Sequence, residues 1–369
     1  MLLRKKEAQP DYFIIGLAAL FVIFGLIMLA SATPVYSFEK WGDSFYMIKH
    51  QILIGLLPGI LLFFAGWMIP YGVWRKYSVL FFGLSALLLF LVLLPGVGQT
   101  LGGSRSWFVW KGFSFQPSEL AKVGLIFYLA ALFEKKGQDI KDFTYGFLPF
   151  IVALGVVLGL IILQPDMGTM ILVASIAFLM YFFGGAAWKH FFLIGSAGLL
   201  ALLAAVKAAP YRMARLTTFL HPETDPQGIG YHINQALIAI GSGGLVGLGF
   251  GQSGQKYRYL PEVSGDSIFA IAAEELGFLF CVIFIALLAL FFYRIFKLSK
   301  NAPDDFSRYT AIGIGGWLAT QTFFNISAML GLLPLTGLPL PFISYGGTAL
   351  AVSLFAVGVL ANISKHTTN

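Results

Sequence analysis

Residues 259–278, YLPEVSGDSIFAIAAEELGF, place four carboxylates, Glu262, Asp266, Glu274 and Glu275, at the entrance to an apolar run that continues FLFCVIFIALLALFF. Ionisable groups within a membrane-length apolar segment are costly and are functional by default. Asp266 stands where the run begins. Asp is a favoured helix N-cap, yet the reciprocal capping partner three residues on is Phe269 rather than Glu or Gln. The positive end of the helix dipole favours the charged carboxylate there. Such a group at the outer membrane surface can hold a divalent cation or take a proton from a hydroxyl. Glu274 and Glu275 lie two turns deeper, too far in to cap the helix. The expected site is an outward-facing acidic pocket.

Other groups offer chemistry of a different kind. Glu119 and Lys122, in QPSELAKVG, are three apart and share a helical face. They form either a neutralised structural ion pair or a pair lining a polar cavity, with Lys122 available to an anion. Asp166, in QPDMGT, is either a plain N-cap or an acid at the cavity mouth. Gln321 and Asn325, four apart, suit hydrogen bonding between helices. Residues 207–266 carry Lys207, Arg212, Arg215, Lys256 and Arg258. Long loops translocate regardless of charge, so these cations are either tolerated or an anion site. In a site, Arg would grip phosphate in bidentate fashion and Lys would act as a point charge. With the acids below, the second reading fits a substrate that carries phosphate near a reacting hydroxyl. The GxGxxG spacing of Gly249, Gly251 and Gly254 lacks the preceding strand of a dinucleotide fingerprint, and no Walker Lys-Ser follows. Those glycines are expected to permit tight turns or close approach of backbone to a ligand.

The elements that must position these groups are membrane helices. The chain has 369 residues, is 58% hydrophobic and 11% charged, and its mean hydropathy is +0.83. Soluble domains carry about 25% charged residues. Apolar runs near the roughly 20 residues that cross a bilayer recur throughout. Ten spans are expected, at 12–33, 50–69, 77–95, 117–133, 147–163, 168–185, 190–206, 267–292, 309–331 and 346–363. The ten-residue alternating strands of an outer-membrane barrel are absent. The first span, after MLLRKK, lacks a small-residue cleavage site and is read as retained. The single cysteine, Cys281, permits no internal disulfide.

The net charge of +7 is mostly a topology signal. More than half of the 24 basic residues fall in alternate connections, at Arg4, Lys5 and Lys6, Arg75 and Lys76, Lys135, Lys136 and Lys141, Lys189, Arg294 to Arg308, and Lys365. By the positive-inside rule both termini are cytoplasmic, and nucleic-acid binding is set aside. Outward connections are then 34–49, 96–116, 207–266 and 332–345. The second is read as a segment lying at the interface. The third, about 60 residues, exceeds ordinary loop lengths and so is expected to carry function. The last, with three prolines in LLPLTGLPLPFISY, is read as rigid extended backbone dipping toward the membrane. No internal repeat of the kind found in many transporters is visible.

LPEVSGDSIFAIAAEELGF resembles the LPE…TDFIFA…EELG signature of the SEDS proteins (shape, elongation, division and sporulation). SRSW with FSFQPSELAK, QPDMGT, RLTTFLHPETDPQGIGYHINQALIAIGSGGLVGLGFG and PLTGLPLPFISYGGTAL resemble the family in the same order, from about residue 12 to 365. QALIAIGSGG, QKYRYLPE and the NISKH tail are more similar to the division members than to the elongation members. One departure is Gly265-Asp266-Ser267, where the signature has Thr-Asp-Phe.

The resemblance implies a single integral membrane domain over 1–369 that polymerises lipid II, an undecaprenyl-pyrophosphate disaccharide-pentapeptide, on the outer face of the bacterial inner membrane. It implies Asp266 as the catalytic carboxylate; the role read for it here is general base on the acceptor sugar's hydroxyl, with Mg2+ or Mn2+ an optional aid to the pyrophosphate leaving group. It maps Glu119, Lys122 and Asp166 onto the central cavity; Arg105 also matches a motif position. The implied partner is a class B penicillin-binding protein, together with other division or elongation proteins and membrane lipids. A lipid II flippase, or a scaffold that recruits the transpeptidase, is the competing reading.

Overall fold

In a bilayer the backbone must satisfy its own N–H and C=O groups, and a chain this apolar therefore folds into helices. The computed structural model describes residues 9–110, 112–196, 198, 217–219, 221 and 228–367. Lys207, Arg212 and Arg215 lie outside them. The helices are α1 (Tyr12–Ala32), α2 (Pro34–Trp41), α3 (Tyr46–Met68), α4 (Tyr71–Lys76), α5 (Ser78–Leu91), α6 (Pro117–Lys136), α7 (Phe143–Ile162), α8 (Met167–Phe183), α9 (Ile229–Ser242), α10 (Ile268–Lys300), α11 (Asp305–Met329) and α12 (Gly347–Ser364). A further helical stretch runs from 188 to 196. The chain is an α-helical polytopic membrane protein.

Among the described residues, α1, α3, α7, α10 and α12 are long and apolar enough to cross a membrane; α5 and α8 are apolar but shorter. α6 and α11, also expected to span, carry the buried ion pair and amides described below. α10 runs on to Lys300, past the expected end at 292. A hydropathy window stops at the first charges, whereas helical hydrogen bonding does not. The expected seventh span, 190–206, lies mostly outside the described residues.

Two of the connections expected to face outward hold structure that the sequence does not announce. Within 96–116, β1 (Gln99–Leu101), β2 (Ser104–Trp110) and β3 (Phe113–Phe115) form a three-stranded antiparallel sheet in the order β1-β2-β3. The sheet gives regular β structure to the segment expected to lie at the interface. Arg105 fastens the sheet to the end of α5, its Nη2 donating to Leu94 O at 2.7 Å and its Nε to Gly98 O at 3.3 Å. Ser104 Oγ donates to Gln164 O at 2.6 Å, just before α8. The long connection contains α9, which packs against α10.

α3 and α12 pack along a seam of small residues, the means by which membrane helices approach without a hydrophobic driving force. A Cβ at Gly358 would lie 2.2 Å from Phe63 O, and one at Gly66 would lie 2.7 Å from Phe355 O. Backbone meets backbone there.

Candidate active site

Asp266 ends a tight turn. Glu262 takes φ 48, Gly265 N donates to Glu262 O at 2.9 Å, and Ser267 N donates to the same oxygen at 3.3 Å. Because Ser267 N is bonded back into the turn, α10 begins at Ile268 and its N-cap is Ser267, with no side-chain cap bond. This corrects the expectation of Asp266 as the cap.

Asp266 is half-buried, and the backbone around it is held carbonyl by carbonyl. Ser264 O accepts from Tyr345 N at 2.8 Å. Gly265 O accepts from Ser344 Oγ at 2.6 Å. Asp266 O accepts from Asn325 Nδ2 at 2.9 Å, and that amide also donates to Leu338 O at 2.9 Å. Asn325 is thus not a helix-to-helix link: it ties α11 to the acid and to the proline-rich segment before α12. Gln51, in the π-helical turn Gln51–Leu56 of α3, accepts from Gly346 N at 3.0 Å and so fixes the end of that segment.

The intramembrane ion pair joins the same segment. Pro117 opens α6, as Pro favours a first helical turn, and Glu119 and Lys122 follow on one face. Lys122 Nζ lies 2.9 Å from both Glu119 carboxylate oxygens. It donates to Gln321 Oε1 at 3.1 Å and sits 4.5 Å from the Trp317 ring centroid. Gln321 also accepts from Trp317 Nε1 at 2.7 Å, and its Nε2 donates to Pro339 O at 2.8 Å. Lys122 and Glu119 are 1% and 4% exposed, so the lysine is enclosed by its partners. Asp166 caps α8, accepting from Thr169 N at 3.0 Å and Thr169 Oγ1 at 2.8 Å. The start of α8 also meets the proline-rich segment, since a Cβ at Gly168 would lie 2.2 Å from Thr336 O.

Lys256, Glu274 and Glu275 form a separate network. α10 is broken at Gly277 (φ 79, ψ −179), and the glycine-rich loop pairs with the break. Leu248 N and Gly249 N donate to Glu274 O and Glu275 O, both at 3.0 Å, while Phe278 N donates to Gly244 O at 2.9 Å. A Cβ at Gly247 would lie 2.1 Å from Glu275 O. Gly247 therefore permits approach of backbone to backbone, while Gly249 and Gly251, at φ 108 and 80, make the tight turns expected of them. Glu275 accepts from Ser31 Oγ at 2.6 Å and from Lys256 Nζ at 3.0 Å. Glu274 accepts from Ser253 Oγ at 2.5 Å and Gly254 N at 3.0 Å. All three ionisable residues are buried.

This burial corrects two expectations. Glu274 and Glu275 do not line an open acidic pocket, and Lys256 is not presented to a diphosphate; they bind the loop to the broken helix. Arg258 pairs on the surface with Glu39. Ser31, Ser253 and Ser344, which make these networks, were not singled out from sequence, because a lone serine in an apolar or glycine-rich run carries no periodic signal. Among the described residues no group of three His, Cys, Asp or Glu side chains lies together in a form that could hold a metal ion.

Comparison with known proteins adds a second line of evidence. The profile of a cell cycle protein family, FtsW/RodA/SpoVE, matches residues 11–369. The stage V sporulation protein E of Bacillus subtilis strain 168 is 41% identical over 364 residues, covering 98% of each chain. A probable peptidoglycan glycosyltransferase FtsW of Geobacter sp. strain M18 is 38% identical over 364 residues and 99% of each chain. Among solved structures, one describing the structural coordination of polymerization and crosslinking by a peptidoglycan synthase complex is similar at a TM-score of 0.82. It is 30% identical, over 97% of this chain and 98% of that one. The rod shape determining protein RodA of Thermus thermophilus is similar at a TM-score of 0.72 and 29% identity, over 98% of each chain.

Proposed function

The chain belongs to the FtsW/RodA/SpoVE family of cell cycle proteins and is a peptidoglycan glycosyltransferase, and from that premise we propose that it polymerises lipid II at the outer face of the inner membrane with Asp266 as general base. The observation that carries the assignment is the hold on three successive carbonyls, Ser264 to Asp266, by Tyr345, Ser344 and Asn325. A carboxylate on so fixed a backbone is oriented before substrate arrives, and catalytic groups gain most from such pre-organisation.

In the proposed step Asp266 accepts the proton of the acceptor sugar's hydroxyl as that oxygen attacks the anomeric carbon of the lipid-linked donor. The bond from that carbon to the diphosphate breaks, and the undecaprenyl diphosphate leaves with the electron pair. Cations near the departing oxygens would stabilise the transition state more than the ground state. With Lys256 buried in its own pair, Arg212 and Arg215 are the remaining proposed cations for this role. A Mg2+ or Mn2+ ion would have the Asp266 carboxylate but no three-residue ligand group among the described residues. A polar cavity around Glu119 and Lys122 would also suit a flippase, but the lysine is closed in by its partners.

We place the protein with a class B penicillin-binding protein that cross-links the product, in line with the synthase complex it resembles. The test is purified protein with that partner, given lipid II, with glycan products sized on a gel. Asp266→Asn should lower the rate by about 10²–10⁴-fold, the usual worth of a general base, and leave thermal unfolding unchanged. Near-wild-type polymer from the Asn variant would remove Asp266 from the reaction.

A further inference from the structure

Ser267 follows the acid at the place where the family signature carries Phe, and its hydroxyl is fully buried. The hydroxyl hydrogen is given to Pro261 O at 2.8 Å, and a carbonyl can only accept. His232, on α9, places Nε2 2.7 Å from Ser267 Oγ. With the serine's only hydrogen spent on Pro261, Nε2 must carry the proton and donate. The chain His232 Nε2–H to Ser267 Oγ–H to Pro261 O thus has a single direction. Burial pushes the His232 imidazole down to about 4, and so this donor is neutral at neutral pH and adds no positive charge beside Asp266.

We propose that His232 is a positioning residue for Asp266, a hydrogen-bonded strut that runs from α9 through Ser267 to the turn delivering the acid. It rests on Asp266 acting as the general base. The backbone before the helix is already held from α11 and the segment leading into α12. Those contacts fix the carbonyls of residues 264–266 but leave the side of residue 267 to α9. α9 is tied to α10 again at its far end, where a Cβ at Gly243 would lie 2.1 Å from Ala273 O. It therefore spans the first two turns of α10 and resists rotation of the turn that aims the carboxylate. A displacement of about 1 Å at a catalytic group can cost on the order of 10²-fold in rate, so one hydrogen bond at this position has kinetic leverage far beyond its contribution to stability.

The test uses the full chain with its cross-linking partner, titrated with lipid II, for wild type, Asp266→Asn, His232→Leu, His232→Gln and Ser267→Ala, each with a thermal unfolding curve in the same detergent. His232→Leu and Ser267→Ala should lower kcat by roughly 10–100-fold with KM for lipid II held within about twofold, the signature of an interaction that matters in the transition state. His232→Gln, whose side-chain N–H can make the same bond, should recover most of the rate. Wild-type kcat in either His232→Leu or Ser267→Ala overturns the strut. So does a rate loss that follows the loss of folded protein and is not rescued by Gln. If His232→Leu does not fold, Ser267→Ala decides alone, since it removes one oxygen and little volume. A wild type that polymerises while Asp266→Asn also does so rejects the general base, and the strut with it; polymerisation lost only in Asp266→Asn keeps the base and rejects the strut.

Discussion

A lysine enclosed in a membrane protein needs a counter-charge before it needs a ligand, and Lys122 has one. Its ammonium touches Glu119, Gln321 and the face of Trp317, which leaves no donor facing an open cavity. Glu119→Gln alone should therefore be damaging: it strands a buried cation, at a cost of roughly 3–5 kcal/mol. The double change Glu119→Gln with Lys122→Met removes both charges and should restore most of the thermal stability. If the pair serves only the fold, the double variant also polymerises lipid II. If it holds substrate, the double variant is stable and inactive. Unfolding temperature and polymerisation rate, measured side by side, separate the two. Glu119, Lys122, Asp166 and Asp266 are all visible in the sequence because charge is conspicuous in an apolar chain. Their partners are not. From sequence Asp266 reads as a cap, because nothing local reveals that Glu262 turns the chain at positive φ and moves the helix start by one residue.

Elements show the same division between what composition reveals and what contacts decide. Hydropathy locates the apolar helices, since length and apolarity are properties of the segment itself. It cannot locate the break in α10, because Gly277 lies in an apolar run where a straight helix would tolerate it. The break exists because the loop around Gly247 donates to Glu274 O and Glu275 O in place of the next helical turn. The small sheet between α5 and α6 is hidden for a related reason: two of its strands are three residues long, too short for any alternation to register. The α3–α12 seam was equally silent, since glycines there report on a neighbour far away in sequence. Gly358→Leu tests it. The new side chain would be driven into the backbone at Phe63, and overpacking typically costs about 1–3 kcal/mol, more where backbone must move. The expected result is a lowered unfolding temperature in detergent with α3 and α12 no longer in contact by cross-linking. An unfolding temperature equal to wild type would mean that the helices separate freely and the seam is not a constraint.

At the scale of the whole molecule, polar contacts gather at two opposite ends, with the apolar core between them. One end joins the charged connections to each other. Arg294 pairs with Asp11 at 2.7 Å, Arg75 with Glu134 at 3.0 Å, Tyr71 donates to Asp304 at 3.0 Å, and Lys365 donates to Trp67 O at 3.1 Å. The other end joins the sheet, the proline-rich segment and the turn at Asp266. There His50 bridges Gly112 O and the Tyr345 hydroxyl, at 2.9 and 2.8 Å. Basic connections on one side and the candidate chemistry on the other support the proposed orientation: with lysine and arginine on the cytoplasmic side, as the positive-inside rule expects, Asp266 would lie outside, where a lipid-linked sugar would be polymerised. The orientation can be read by labelling. Cys281, the sole cysteine, is buried, and Cys281→Ser gives a background without thiols. On that background Lys49→Cys and Lys297→Cys each introduce one reporter at an exposed position, one near either end. Lys49 loses only a surface pair with Asp43, worth little to stability. In intact spheroplasts a membrane-impermeant maleimide should label Lys49→Cys at once and reach Lys297→Cys only after permeabilisation. Labelling of Lys297→Cys in the intact cells would invert the topology, put Asp266 on the cytoplasmic side, and leave no route by which it could serve a polymerase acting at the outer face.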